Sequence, residues 1–500
     1  MRLVACVLAL ATTALADTLV LKDGRFVEDK TIEKVSGGFM LKLEHGEIFV
    51  PSELVADHFR EKDGEFVPRT AEEKEMLEKG KIPWRGRWVT KSYRDRMVER
   101  RREKRRQRIE QQKARQLWRN HVTVKTRRFN FKHTLSDEIF ADLQEMFEAY
   151  YKYFTAYWGV RPSHKYGRPT IHIYHDAEYF HQRSGAPEGV IGWYHPLTKE
   201  LHFYYDRQRH RFTLDVMFHE GNHMLTHMIN EKVLYPAWVN EGMAEYFGAS
   251  RWDPYKKEMS IGHLQSGRLA VLKNEIEDEK WQDLKELLEA PRINATQYAW
   301  AWSLCHFLLS QERYAKRFRK FYLALGKSSS VKKKSIILAY KVIEPEEVIA
   351  ALIKYLRIKS LEQLQKEWRD YLTSHLTKRE GTLDYGTAAW IMTLYGEPDK
   401  ARRLFRKAIK NGSREAYVHY GYAELRHRVK RKLALKHLVL ATRYDPLYAR
   451  AWALRGYCTL ADDPKEGMRL LELAGELDPT DQQIWLWTER AKEKIDPKQD

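Results

Sequence analysis

Strand-like alternation opens the chain. Segments 18–21, 39–43 and 48–51 carry apolar residues at every second position and are separated by the turn pairs Asp23-Gly24 and His45-Gly46, the pattern of antiparallel hairpins. From 71 to about 118 the periodicity turns helical, but apolar positions nearly vanish and Arg, Lys and Glu fill the stretch. That predicts a solvated helix or an extended charged connector with little to bury. A packed α+β pattern begins at His121, with a strand over 122–131, a long amphipathic helix over 135–158, a strand over 170–174 and a short helix over 177–183. Segments 189–194 and 201–205 then read as a hairpin, 213–229 as a helix, and 361–372, with Trp368, as a closing amphipathic helix. Beyond 385 the pattern repeats: Ala401, Ala434 and Gly467 lie 33 residues apart, and so do Ala408, Ala441 and Ala474.

A chain of 500 residues exceeds one compact core, so a multidomain protein is expected. The hairpins over 17–60 look like a small SH3-like all-β barrel without a catalytic cluster, and a basic charged helical linker covers 61–120. The α+β domain covers 121–375, and all-α repeats cover 385–495. Small residues at fixed places in paired helices, with Asp445-Pro446 returning as Asp478-Pro479, resemble tetratricopeptide repeats. Such repeats present a concave face to a protein partner, or serve as a helical cap without a ligand.

The first residues change where this domain set works. Met1-Arg2, the apolar run 3–11 and Ala14-Leu15-Ala16 follow the order of a secretory signal peptide over 1–16, which predicts export to the periplasm or the extracellular space. After it no apolar run approaches the ~20 residues that span a bilayer, so no transmembrane segment is expected in the mature chain. Cys305 and Cys458 sit in apolar helical contexts and read as buried thiols, not as a disulfide framework. The Asn294-Ala295-Thr296 and Asn411-Gly412-Ser413 triplets are assigned no function. The net charge of +19 favours anionic partners, and its densest stretch, 94–119, suits an anionic surface. No nucleic-acid-binding motif accompanies that charge, and export argues against nucleic acid.

Chemistry is concentrated in His219-Glu220-Gly221-Asn222-His223 and in Asn240-Glu241-Gly242-Met243-Ala244-Glu245. Residues four apart share a helix face, so His219 and His223 point at one ion with Glu220 beside them. Catalytic zinc needs about three protein ligands and an open position, and Glu241 on the next helix is the natural third. Glu245, one turn further, receives the free ring N–H of a ligand histidine and fixes its tautomer, or else faces solvent. The expected cofactor is Zn2+, and Glu220 is the general base.

These segments are similar to the gluzincin zinc metallopeptidases, the thermolysin and aminopeptidase superfamily. They look nearest to an exported bacterial domain-of-unknown-function family of peptidase-like proteins with a similar His-Glu-Gly-x-His and C-terminal helical repeats. The resemblance spans roughly 121–375 and implies a zincin-type fold, His219, His223 and Glu241 as zinc ligands and Glu220 as base. It also implies a later-helix oxyanion donor, for which Tyr298 is the candidate and His306 a weaker one; both also fit ordinary core positions. Gly192, Trp193 and Tyr194 are nominated as an edge strand that pairs with an extended peptide substrate. Two departures matter. The Gly-x-Met-Glu-Asn segment of aminopeptidases is missing, with Gly185-Ala186-Pro187-Glu188 a faint echo, so an endopeptidase is expected. Gly221 inside the metal helix costs about 1 kcal/mol relative to Ala, which packing has to offset. The competing expectation is an inactive peptidase-like scaffold that binds protein or anionic envelope partners through its repeats and basic segment.

Overall fold

The alternating N-terminal segments are strands. This computed structural model describes residues 18–22, 26–27, 31–59, 68, 70–84, 87–163, 167–187, 189–206, 209–230, 233–253, 255–327, 333–334, 341–379, 383–478 and 481–495. The expected signal peptide, 1–16, lies outside them. Strands β1 (Thr18–Leu21), β2 (Phe26–Val27), β3 (Thr31–Val35), β4 (Gly38–Leu43), β5 (Gly46–Pro51) and β6 (Val55–Phe59) form two antiparallel sheets, ordered β2-β1-β6 and β3-β4-β5. Helix α1 (Ala71–Glu78) follows, started by a capping box between Thr70 and Glu73. A hairpin, β7 (Lys81–Trp84) and β8 (Arg87–Thr90), then precedes the long charged helix α2 (Lys91–Gln116), where the sequence pattern predicts continuous helix. Gly80, at φ +68°, ends α1 in the left-handed region, and Pro83 lacks the N–H that a helix interior needs.

Contacts divide the chain into two compact units, 1–114 with 445–500, and 115–444. The second unit is built on β9 (Val122–Lys125), β10 (Asn130–His133), α3 (Asp137–Trp158), β11 (Thr170–Tyr174), α4 (Ala177–Ser184), β12 (Gly192–His195) and β13 (Glu200–Tyr204). The single strand predicted over 122–131 is broken into β9 and β10. Thr126 Oγ1 accepts the N–H groups of Arg128 and Phe129 at 3.2 and 3.1 Å, which turns the chain back on itself. The five-stranded sheet runs β12-β13-β11-β10-β9, so β12 is an edge strand, antiparallel to β13. Period-two alternation buries Phe131, Ile171, Ile173, Leu201 and Phe203 on one face. There the α3 rings Phe140 and Phe147 meet Phe131 edge-on. On the other face Phe180 of α4 packs against Tyr174 and Tyr204.

Helix α5 (His210–Ile229) crosses the inner face and starts one turn earlier than its periodicity predicts, and α6 (Ala237–Gly248) packs on it. Helices α7 (Ser266–Glu277), α8 (Leu284–Glu289), α9 (Ala295–Ser310), α10 (Glu312–Lys327), α11 (Pro345–Leu356) and α12 (Leu361–Tyr371) follow. Asn294 has a structural use here: as the α9 N-cap, its Oδ1 accepts the N–H groups of Thr296 and Gln297. Helices α13 (Tyr385–Leu394), α14 (Pro398–Lys410), α15 (Ala416–Glu424) and α16 (Arg431–Tyr444) pack in consecutive pairs. The periodic residues Ala401, Ala408, Ala434 and Ala441 are buried there.

In the first unit, α17 (Ala449–Thr459), α18 (Pro464–Leu477) and α19 (Gln482–Ile495) join the N-terminal strands. Leu447, Leu470 and Leu473 complete the core of Leu19, Leu41, Ile48 and Val50. His45 sits between Glu472 and Glu476, at 3.1 and 2.6 Å. The architecture is thus a β-rich N-terminal region, a central sheet and a largely helical C-terminal half. No described helix is long and apolar enough to cross a membrane. Cys305 and Cys458 are buried and not joined in a disulfide.

Helix α6 touches α9 at Gly242, where an added Cβ would lie 2.6 Å from the Ala301 carbonyl oxygen and 2.7 Å from Cys305 Sγ. Gly242→Ala is therefore expected to destabilise the fold by about 1–3 kcal/mol. Thermal unfolding measures it, and an unchanged melting temperature would mean that the two helices are not held at this distance.

Candidate metal centre

Helices α5 and α6 bring the two motif segments together. Nε2 of His219 and Nε2 of His223 each lie 3.3 Å from Glu241 Oε2, and 3.2 Å from one another. The imidazole planes meet at 77°, and the three donor atoms form a triangle with sides of 3.2–3.3 Å. A tetrahedral site with ~2.0–2.1 Å metal–nitrogen bonds has ligand–ligand edges of about 3.3–3.4 Å. Two imidazole nitrogens and one carboxylate oxygen at this spacing fit zinc in chemistry and in size.

A second group in this unit has the same residue types. His172, Glu200 and His202 offer donor atoms within 4.8 Å of one another, and nothing in the sequence pattern singled them out. Their rings are stacked, with centroids 4.3 Å apart and planes 16° from parallel, because the two histidines are in register on adjacent parallel strands. Stacked rings direct their lone pairs side by side instead of at one ion. Glu200 Oε1 meets His172 Nε2 at 3.3 Å and its Oε2 lies 3.7 Å from His202 Nε2, while the Tyr174 hydroxyl meets His202 Nδ1 at 3.0 Å.

The charges at the first site are strongly coupled. Burial disfavours the His219 imidazolium, but hydrogen bonds to Glu241 and Glu245 outweigh it and raise the pKa to about 10. Burial also opposes ionisation of Glu241, yet His223 and His219 hold its carboxyl well below the usual range. Glu245 Oε1 lies 3.4 Å from His219 Nδ1 and 2.6 Å from Arg268 Nη2. Burial pushes its pKa up, but Arg268 and His219 bring it down to about 2. Glu245 thus faces His219 and not solvent. Its other partner, Arg268 on α7, was not legible in the sequence, since helical periodicity marks it only as one more polar position.

These groups line a cavity of about 380 Å³. Glu220 borders it; burial is the chief cause of its raised pKa, opposed by His219 and His223. Edge strand β12 passes so close that a Cβ on Gly192 would lie 2.5 Å from Val216 Cγ1 and 3.3 Å from Glu220 Cγ. The Tyr194 backbone hydrogen-bonds Glu220. Trp193 turns its indole toward His195 and His202, and the Tyr194 hydroxyl meets His227 Nδ1 at 2.9 Å. The strand is therefore placed at the cavity as nominated, with both aromatic side chains engaged elsewhere.

Tyr298 also borders the cavity, its ring 6.4 Å from that of His219, and burial keeps its hydroxyl protonated. His306 is not among the lining residues; its Nδ1 is 2.9 Å from the Tyr371 hydroxyl. Gly221 is explained by packing, because a Cβ there would lie 3.0 Å from Phe147 and 3.1 Å from Tyr150 on α3. The remaining wall was not expected: Ile391, Leu394 and Tyr395, at the end of α13 in the repeat region, line the same cavity.

Residues 214–332 match a family described only as "Protein of unknown function (DUF1570)". The match takes in His219, Glu220, His223, Glu241, Glu245, Arg268 and Tyr298. No curated protein matches the chain.

Outer partners that orient a ligand histidine are worth roughly tenfold to a hundredfold in metal affinity. Glu245→Gln is expected to weaken zinc binding by about that factor, read by competition with a chromophoric chelator; wild-type affinity in the variant would remove Glu245 from the site.

Proposed function

We propose that this chain is an exported zinc-dependent metallopeptidase of gluzincin type that hydrolyses peptide bonds inside protein or peptide substrates. The observation that carries it is the converging triangle of His219, His223 and Glu241, with Glu220 in the same cavity beside an edge strand. When bound, zinc supplies Lewis acidity and lowers the pKa of water to near ~7. Glu220, whose own pKa is raised, takes the proton of the attacking water and passes it to the leaving amine. The protonated Tyr298 hydroxyl donates to the oxyanion that develops on the scissile carbonyl. Strand β12, the edge strand of the sheet, receives an extended substrate in this reading, as in strand addition to a sheet.

Room on both sides of the ligands supports an endopeptidase. A second cavity, of about 690 Å³, shares Glu241 and Tyr298 with the first and continues past Pro236, Ile293 and Val348. In this proposal the N-terminal strands are an SH3-like barrel and the paired C-terminal helices are tetratricopeptide-like repeats. They bring the enzyme to a partner in the periplasm or outside the cell, and the basic helix α2 faces an anionic surface there.

Glu220→Gln tests the assigned base. The variant is expected to keep zinc at wild-type stoichiometry while turnover of a library-selected peptide falls at least a hundredfold, within the ~10²–10⁴ range of general-base catalysis. Turnover equal to wild type would refute the mechanism.

A further inference from the structure

The family match ends at residue 332, and α13 begins at Tyr385; yet α13 is fixed against the metal centre at both ends. Near its start, the Asp384 N–H donates to the Ser266 carbonyl at 3.3 Å, and Thr387 and Ile391 close over Gly267 of α7. The next helix adds charge contacts: Lys400 Nζ lies 2.9 Å from Thr296 Oγ1 and 3.6 Å from Glu275, and Arg403 lies 3.0 Å from Asp278. At its far end the Leu394 carbonyl oxygen sits where a Cβ on Gly189 would be, 2.6 Å away, and Gly189 has φ +83°. Gly189 leads into β12, so α13 abuts the approach to the edge strand. These contacts hold Tyr395, the residue just after α13, over the cavity.

Tyr298 stands in the first turn of α9, where its own helix offers few lateral neighbours. Its ring is met by three groups: His219 at 6.4 Å between centroids, the Arg268 guanidinium at 5.0 Å from the ring centre, and Tyr395 at 5.9 Å and 48°. His219 and Arg268 are both committed to the carboxylates of α6. Tyr395, 48% exposed at the cavity, is hydrogen-bonded through its hydroxyl to Tyr298 as well as packed against its ring.

We propose that Tyr395, delivered by the helical region, is a positioning residue that holds the Tyr298 ring over the metal centre from the cavity wall. The repeat region is then part of the catalytic cleft and not only a docking arm. This inference rests on the proposed peptidase function for its kinetic consequence, but its geometric content does not need it.

The experiment uses the full mature chain with zinc and the variants Tyr395→Ala, Tyr395→Phe, Tyr298→Phe and Tyr298→Phe/Tyr395→Ala. For a quenched fluorescent peptide, Tyr395→Ala is expected to lower kcat about tenfold, the size of one aromatic contact, with KM within about twofold, while Tyr395→Phe, which keeps the ring and loses the hydroxyl, restores kcat in part. In the Tyr298→Phe background the same alanine change is expected to cost less than about twofold, because the two residues act as one unit. Equal losses in both backgrounds, or a Tyr395→Phe kcat no higher than that of Tyr395→Ala, would overturn the proposal. Crystal structures of wild type and Tyr395→Ala give a readout that needs no activity: Tyr298 should leave its wild-type rotamer or split between two. If zinc-loaded wild type cleaves no peptide, the peptidase function fails, and the Tyr298 rotamer alone decides the role of Tyr395.

Discussion

Two helices press ionisable side chains into a space where none of them is well solvated. His219, His223, Glu241 and Glu245 all lie within 3.4 Å of another member of the group, and their side chains are at most 17% exposed. Charges so buried have to be paired or neutralised, and the surrounding structure meets this demand. Arg268 of α7 balances Glu245, and the remaining imidazoles and Glu241 share whatever positive charge sits among them, a proton or a cation. The fold holds this arrangement by close helix contacts. Gly221 lets α3 rings lie on α5, and Gly242 lets α6 lie on α9. A helix interior disfavours glycine by about 1 kcal/mol relative to alanine, so both positions trade helix propensity for approach.

The same constraint explains where the cavity opens. With α3 and the sheet behind α5, the free side of the metal helix faces β12, α9 and α13. An edge strand, a protonated tyrosine and a carboxyl of raised pKa border that opening. The cluster of His172, His202 and Glu200 lies on the opposite face of the sheet, where Trp193 and Tyr174 pack against His202.

Much of the site was legible because its parts are local. His219 and His223, and again Glu241 and Glu245, share a face through four-residue spacing, and their helices show in the hydrophobic pattern. The edge strand was legible from alternation on either side of a turn. What stayed hidden depends on pairings distant in the chain. Arg268 looks like any helical cation until α7 is placed beside α6, and Tyr395 belongs by pattern to the repeats. The closing of the N-terminal strands by Leu447, Leu470 and Leu473 is a contact between opposite ends of the chain that no window of sequence contains. Local punctuation accounts for the other differences: Thr126 breaks a predicted strand, and Gly80 with Pro83 breaks a predicted helix.

The central claim is that His219, His223 and Glu241 converge on one zinc ion. Anomalous diffraction at the zinc absorption edge, on crystals of the mature chain grown with stoichiometric zinc, tests it most directly. One peak inside that triangle is expected, with nitrogen ligands at ~2.0–2.1 Å. A peak at His172, Glu200 and His202 instead, or no peak with all three side chains ordered as described, would contradict it.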